Sequence, residues 1–120
     1  MTFELHRAGD TPVAELIDPN LVLSTTGDAL DLFANARHLH GAAHVIIRRD
    51  NLSAEFFDLK SGLAGEMLQK VSNYRLRLAI LGDYTDVPPG PLHDFIWESN
   101  RTGTVLFVSS LDAALERLAE

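Results

Sequence analysis

The 120-residue chain contains no cysteine, which excludes a disulfide framework, a zinc–thiolate centre and a thiolate nucleophile. No apolar run approaches the roughly 20 residues needed to cross a bilayer as a helix. The opening Met1-Thr2-Phe3-Glu4-Leu5-His6-Arg7 lacks the basic start and continuous apolar stretch of a secretory signal. A cytoplasmic location without a membrane partner is therefore expected. Positive charge is also scarce, since 10 Lys and Arg stand against 17 Asp and Glu, giving a formal net charge of −7. Nucleic acid requires basic side chains gathered on one face, and only Arg48-Arg49 and Arg75 with Arg77 cluster locally. No nucleic-acid partner is expected, and solvated strand ends account for these arginines. There is no Gly-x-Ser-x-Gly elbow, Walker phosphate loop or dinucleotide fingerprint, despite the presence of Gly62, Gly65 and Gly82.

With 46% apolar and 22% charged residues, the composition is that of an ordinary globular protein, and the length suits one core and one domain over residues 1–120. Thr2 to Arg7 and Val13 to Ile17 flank the turn Ala8-Gly9-Asp10-Thr11-Pro12 and predict an opening hairpin. Leu21-Val22-Leu23 adds a short extended piece after the turn Asp18-Pro19-Asn20. Thr25-Thr26-Gly27-Asp28 has the form of a capping box, so a helix is expected from there to about His40, with Gly41 to stop it. Three apolar runs, Ala43 to Arg48, Leu76 to Leu81 and Thr104 to Val108, are separated by helix-length segments, the alternation of a parallel sheet. Between the first two, Leu63, Ala64, Met67, Leu68, Val71 and Tyr74 share one helical face. A further helix starts at Pro91 and follows Leu92, Phe95, Ile96 and Ser99 to Gly103. The last one, introduced by Ser109 with Asp112 three residues on, buries Leu111, Ala114, Leu115 and Leu118.

The residues suited to chemistry are few. His38 and His40 are two apart near a helix end and His44 lies in a strand, a spacing that makes no metal site. Asp83 follows Gly82 at the carboxyl end of an inner strand, the edge where α/β sheets bind ligands. His93, Asp94 and Glu98 on the next helix are expected to approach the same edge, and together these four are the candidate acid–base group. Turn formation by Asp83 and a favourable helix start for Asp94 are the plainer roles. Trp97 is expected as a partly buried core residue, with a partner-binding anchor as the alternative. Ser61 is suited to cap the helix that follows it, and Phe56 and Phe57 to divide between core and interface.

The stretch from Asn51 through Phe56-Phe57-Asp58-Leu59-Lys60-Ser61-Gly62-Leu63 to Ala79-Ile80-Leu81-Gly82-Asp83, together with Phe95-Ile96-Trp97-Glu98-Ser99-Asn100, resembles the bacterial family catalogued as domain of unknown function 4180. The element order β-β-α-β-α-β-α-β-α is similar to that of STAS domains, including the anti-sigma factor antagonists. Those domains carry Asp-Ser-Ser-Gly-Leu where a loop enters an amphipathic helix, the second serine being phosphorylated. Ser61-Gly62-Leu63 stands at the corresponding place, while Leu59 and Lys60 replace the acidic residue and the first serine. The resemblance implies a STAS-like α/β domain with a central mixed sheet of about five strands and about four helices. It further implies a regulatory module that binds a protein partner and needs no cofactor, with Lys60, Ser61 and Gly62 as the partner-binding or phosphorylation site. A small enzyme or ligand sensor using Asp83, His93, Asp94 and Glu98 is the alternative.

Overall fold

The computed structural model describes residues 1–120. β1 (Phe3–Ala8) and β2 (Thr11–Leu16) form the antiparallel hairpin, closed by Gly9-Asp10. Gly9 has φ +62° at the first turn position, where a tight hairpin of the II′ kind favours a residue without Cβ. The chain continues through α1 (Thr26–Ala34), β3 (His44–Arg48), α2 (Ala54–Phe57), α3 (Leu63–Asn73), β4 (Leu78–Leu81), α4 (Pro91–Thr102), β5 (Val105–Val108) and α5 (Leu111–Leu118). The strands make one mixed sheet in the order β1-β2-β3-β4-β5, with β2 to β5 parallel. The three apolar runs are thus adjacent parallel strands, as their spacing requires. No helix is long and apolar enough to cross a membrane.

Five α-helices are present rather than about four, because Ala54–Phe57 closes one turn inside the segment between β3 and α3. Leu21-Val22-Leu23 contributes only the single bridge Leu23 to Leu52. The α1 capping box is as expected: Thr25 Oγ1 accepts from the Asp28 amide at 3.1 Å, and Asp28 accepts from the amides of Thr25 and Ser24 at 3.1 and 2.8 Å. The following residues, Asn35–Leu39, widen into a π-helical turn before Gly41.

Alternation along the strands sends side chains to two unequal layers. Ala14, Leu16, Val45, Ile47, Ile80 and Phe107 face α1, α3 and α4 across the larger core, in which Leu32, Phe33, Met67 and Val71 are buried. On the opposite face Val13, Ile46, Ala79 and Leu106 meet only α5, through Ala114 and Leu118. Leu68 is half-buried at the margin of the larger core, so Met67 and Val71 define the inward face of α3.

Candidate functional site

After β4 the chain leaves for α4 on the larger-core face, whereas after β5 it leaves for α5 on the opposite face. Adjacent parallel strands whose connections part in this way leave a crevice beyond their carboxyl ends. A cleft of about 650 Å³ lies there, between Arg48-Arg49-Asp50 after β3, Gly82-Asp83 after β4 and Ser109-Ser110 at the start of α5. A neighbouring hollow of about 400 Å³ shares Gly82, Asp83 and Ser109 and adds Tyr84 and Thr85.

Gly82 is required by close packing, since a Cβ there would stand 2.8 Å from Cβ of Arg49. Arg49 is thereby held across the strand ends, with its guanidinium 5.2 Å from the centroid of Phe57 and 5.3 Å from that of Tyr84. It donates to the Asp83 carbonyl and, at 3.0 Å, to the Asp86 carboxylate. The Tyr84 hydroxyl donates to the Ile80 carbonyl at 2.9 Å, and burial pushes its pKa above the usual phenol range. Arg48 reaches the other way, donating to Glu15 at 2.7 Å and to the Leu16 carbonyl at 3.3 Å. The second Glu15 oxygen lies 2.8 Å from Nε2 of His6, so this buried carboxylate on the sheet face is partnered on both sides.

Asp83 is committed to the turn after β4. Its carboxylate accepts from the Thr85 hydroxyl at 2.6 Å and the Thr85 amide at 2.9 Å, and these bonds, the hydroxyl first, hold its pKa below the ordinary carboxylate range. Ser110, not Ser109, caps α5, accepting from the Ala113 amide at 3.1 Å. The earlier first-turn amides of α5 have no intrahelical acceptor.

The structure does not bring the four expected acid–base residues together. Only Asp83 lines the cleft. His93 and Asp94 stand exposed in the first turn of α4, 3.6 Å from each other, and Glu98 pairs with Arg101, whose hydrogen bond holds the Glu98 pKa below its usual value. Glu98 borders a separate groove with Leu68, Thr102 and Thr104 at the amino end of β5. α4 returns antiparallel to the strands and so carries Glu98 away from the carboxyl edge, whereas His93 and Asp94 in its first turn are exposed to solvent and do not line the cleft.

Lys60, Ser61 and Gly62 are exposed at the entry to α3. Ser61 ends a single 3₁₀ turn, and Gly62, with φ +81°, takes the N-cap position expected for the serine. The Ser61 hydroxyl nonetheless accepts from the Leu63 amide at 3.2 Å and donates to the Glu55 carbonyl at 2.6 Å. Phe56 is buried while Phe57 stacks on it edge-on and carries Arg49. Trp97 is 62% exposed, not a core residue. His38 and His40 are exposed, and half-buried His44 accepts from the Arg77 amide at 2.9 Å, with burial pulling its pKa below the usual imidazole value. Glu4, His6 and Glu15 bring one possible ligand atom each within 4.8 Å of the others, but Glu15 is already paired with Arg48.

A family model described as Domain of unknown function (DUF4180) matches residues 8–118. The chain belongs to the DUF4180 family. The match runs from the end of β1 to the end of α5 and includes every residue lining the cleft, so the cleft lies within the DUF4180 domain itself. Comparisons with curated proteins and with solved structures give no match, and the resemblance to STAS domains finds no support there.

Among the cleft residues, Asp50 and Ser110 were passed over in the sequence, while Arg48 and Arg49 were read only as solvated strand ends and Ser109 only as a helix start. Their signal was positional, since each stands at the carboxyl end of an apolar strand, beside the Gly82-Asp83 already singled out.

Proposed function

We propose that this domain is a regulatory binding module whose cleft takes a small ligand carrying both an anionic group and hydrogen-bond donors, the class that includes nucleoside monophosphates and amino acids. The observation that carries this reading is the cleft at the point where the connections after β4 and β5 part to opposite faces. Its lining sets Arg49 and the first-turn amides of α5 against Asp50 and Asp83, while the Arg48 guanidinium is turned away to Glu15. That balance suits a ligand with charge of one sign and donors of its own better than a bare polyanion. Thermal melting with a panel of nucleoside monophosphates and amino acids tests the proposal. A ligand at about 100 times its Kd stabilises by about 2.7 kcal/mol, a readily measured rise in Tm. Ser109→Asp, which adds a carboxylate to the cleft without touching the core, abolishes that rise. A panel without any shift, or a shift unchanged by Ser109→Asp, overturns the reading.

Protein-partner docking around Ser61 is the second reading, supported by the exposure of Lys60, Ser61 and Gly62. Phosphorylation adds about −1.5 to −2 charge and removes the proton that Ser61 donates to the Glu55 carbonyl, while the Leu63 amide stays available as a donor. The modification therefore loosens the 55–61 loop and spares α3. Chemically installed phosphoserine at position 61 is expected to speed hydrogen exchange in that loop, relative to unmodified protein, without speeding it in α3. Unchanged loop exchange sinks this switch.

A further inference from the structure

We propose that the free edge of β1 pairs antiparallel with β1 of a second copy of this chain, joining two five-stranded sheets into one of ten strands. The two edges of the sheet are treated differently by the fold. At the β5 edge, the Asn100 side chain behaves as a one-residue strand: its Nδ2 donates to the Phe107 carbonyl at 3.2 Å, and its Oδ1 accepts from the Phe107 amide at 2.7 Å. That edge is capped at Phe107, and Val105 beside it is buried. At the β1 edge no equivalent element stands. The Ile17 amide donates to the Thr2 carbonyl at 2.7 Å, which fixes the phase of the β1–β2 ladder so that even-numbered residues of β1 bond to β2. The N–H and C=O groups of Phe3, Leu5 and Arg7 consequently point away from the sheet, a template for another strand.

Self-pairing has a single favourable register. A twofold axis normal to the sheet keeps each face continuous, so the paired positions must sum to an even number. A sum of 10 places Leu5 opposite Leu5 on the axis and Phe3 opposite Arg7, using the outward-pointing backbone groups. It also sets the carboxylate of Glu4 opposite the imidazole of His6 twice, once on each side of the axis. A sum of 8 would instead place Glu4 against Glu4, and a sum of 12 would place His6 against His6. The apolar surface agrees with this register, because Leu5 is 57% exposed although it lies on the helix-bearing face. Beside it Phe3 packs on His40, with ring centroids 5.1 Å apart, and the preceding residue Leu39 is 72% exposed. The π-helical turn after α1 presents Leu39 to solvent with no partner inside the domain.

The absence of cysteine makes the test direct. Leu5→Cys, oxidised with diamide, is expected to give a disulfide-linked dimer, because the register of 10 places position 5 against itself. Trp97→Cys, equally accessible on α4, is expected to remain monomeric under the same treatment. Light scattering after size exclusion should show the mass of two chains for the native protein. Leu5→Asp, with the circular dichroism of the native fold, should show complete loss of the dimer. A native chain that is monomeric at every concentration overturns the proposal, as does a dimer that Leu5→Asp leaves intact. Should Leu5→Asp fail to fold, cross-linking decides: a Leu5→Cys variant that links no faster than Trp97→Cys refutes the pairing.

Discussion

Replacing Arg48 by methionine tests the one buried carboxylate in the sheet. Glu15 has a side chain 3% exposed, and it bonds to Arg48 at 2.7 Å and to His6 at 2.8 Å. Removing one partner of a buried ion pair costs about 3–5 kcal/mol, because the remaining charge is left without compensation. Arg48 is itself 47% exposed, so water can enter where its guanidinium stood and recover part of that loss. Arg48→Met is accordingly expected to cost about 2–4 kcal/mol, including the bond to the Leu16 carbonyl. Glu15→Met should be milder, about 1 kcal/mol, since the arginine it frees can turn to solvent. The double variant should lie within about 1 kcal/mol of the native chain, because no buried charge remains. Urea unfolding followed by circular dichroism supplies the four stabilities of the cycle. A cost for Arg48→Met below about 0.5 kcal/mol, or a double variant as unstable as the two single losses added together, refutes the reasoning.

Met67→Ala, at 2% exposure in the larger core, should cost about 2–5 kcal/mol, while Leu68→Ala at the groove margin should cost less than half as much; denaturant titration showing the reverse order would mean that α3 is rotated. Gly82→Ala drives a methyl to 2.8 Å from Cβ of Arg49, and an expected loss of about 1–3 kcal/mol by thermal melting reports the shift forced on the ends of β3 and β4. The Asp28 carboxyl is held below its ordinary value of 3.8, chiefly by the Ser24 amide and also by Thr25, so its cap is complete above that value and is lost as pH falls through the lower folded value. Asp28→Asn should therefore flatten the acid side of the Tm-against-pH curve, and a curve identical to that of the native chain would remove Asp28 from the acid response.

The sheet was legible because its strands are continuous apolar runs set apart by helix-length segments, and Gly41 and Gly103 mark helix ends by the positive φ they supply. The segment from Asn51 to Ser61 was not, since α2 and the adjoining 3₁₀ turn are single turns held by packing of Phe56 and by the Ser61–Glu55 bond, which leave no periodicity. Within the candidate site, Gly82 and Asp83 stood out by their place after a strand. Arg48 and Arg49 resembled solvated strand ends, because nothing local announces that Glu15, 33 residues earlier, neutralises the first of them. Glu98 was misplaced although a helix between parallel strands must run back from their carboxyl ends, and His93 and Asp94 because the side of the first turn of α4 that meets solvent is set by tertiary docking, which no local pattern carries.

The contact between α5 and β1 ties together segments separated by nearly the whole sequence. The larger core, by contrast, is complete once α4 and β5 have formed, its longer contacts such as α1 on α3 lying within the first three-quarters of the chain. The face holding Val13, Ile46, Ala79 and Leu106 stays bare until Leu111–Leu118 has emerged and crossed back over it. A nascent chain stalled before that point carries a finished helical layer and an unshielded apolar sheet, the form in which this fold is most open to chaperones and to aggregation.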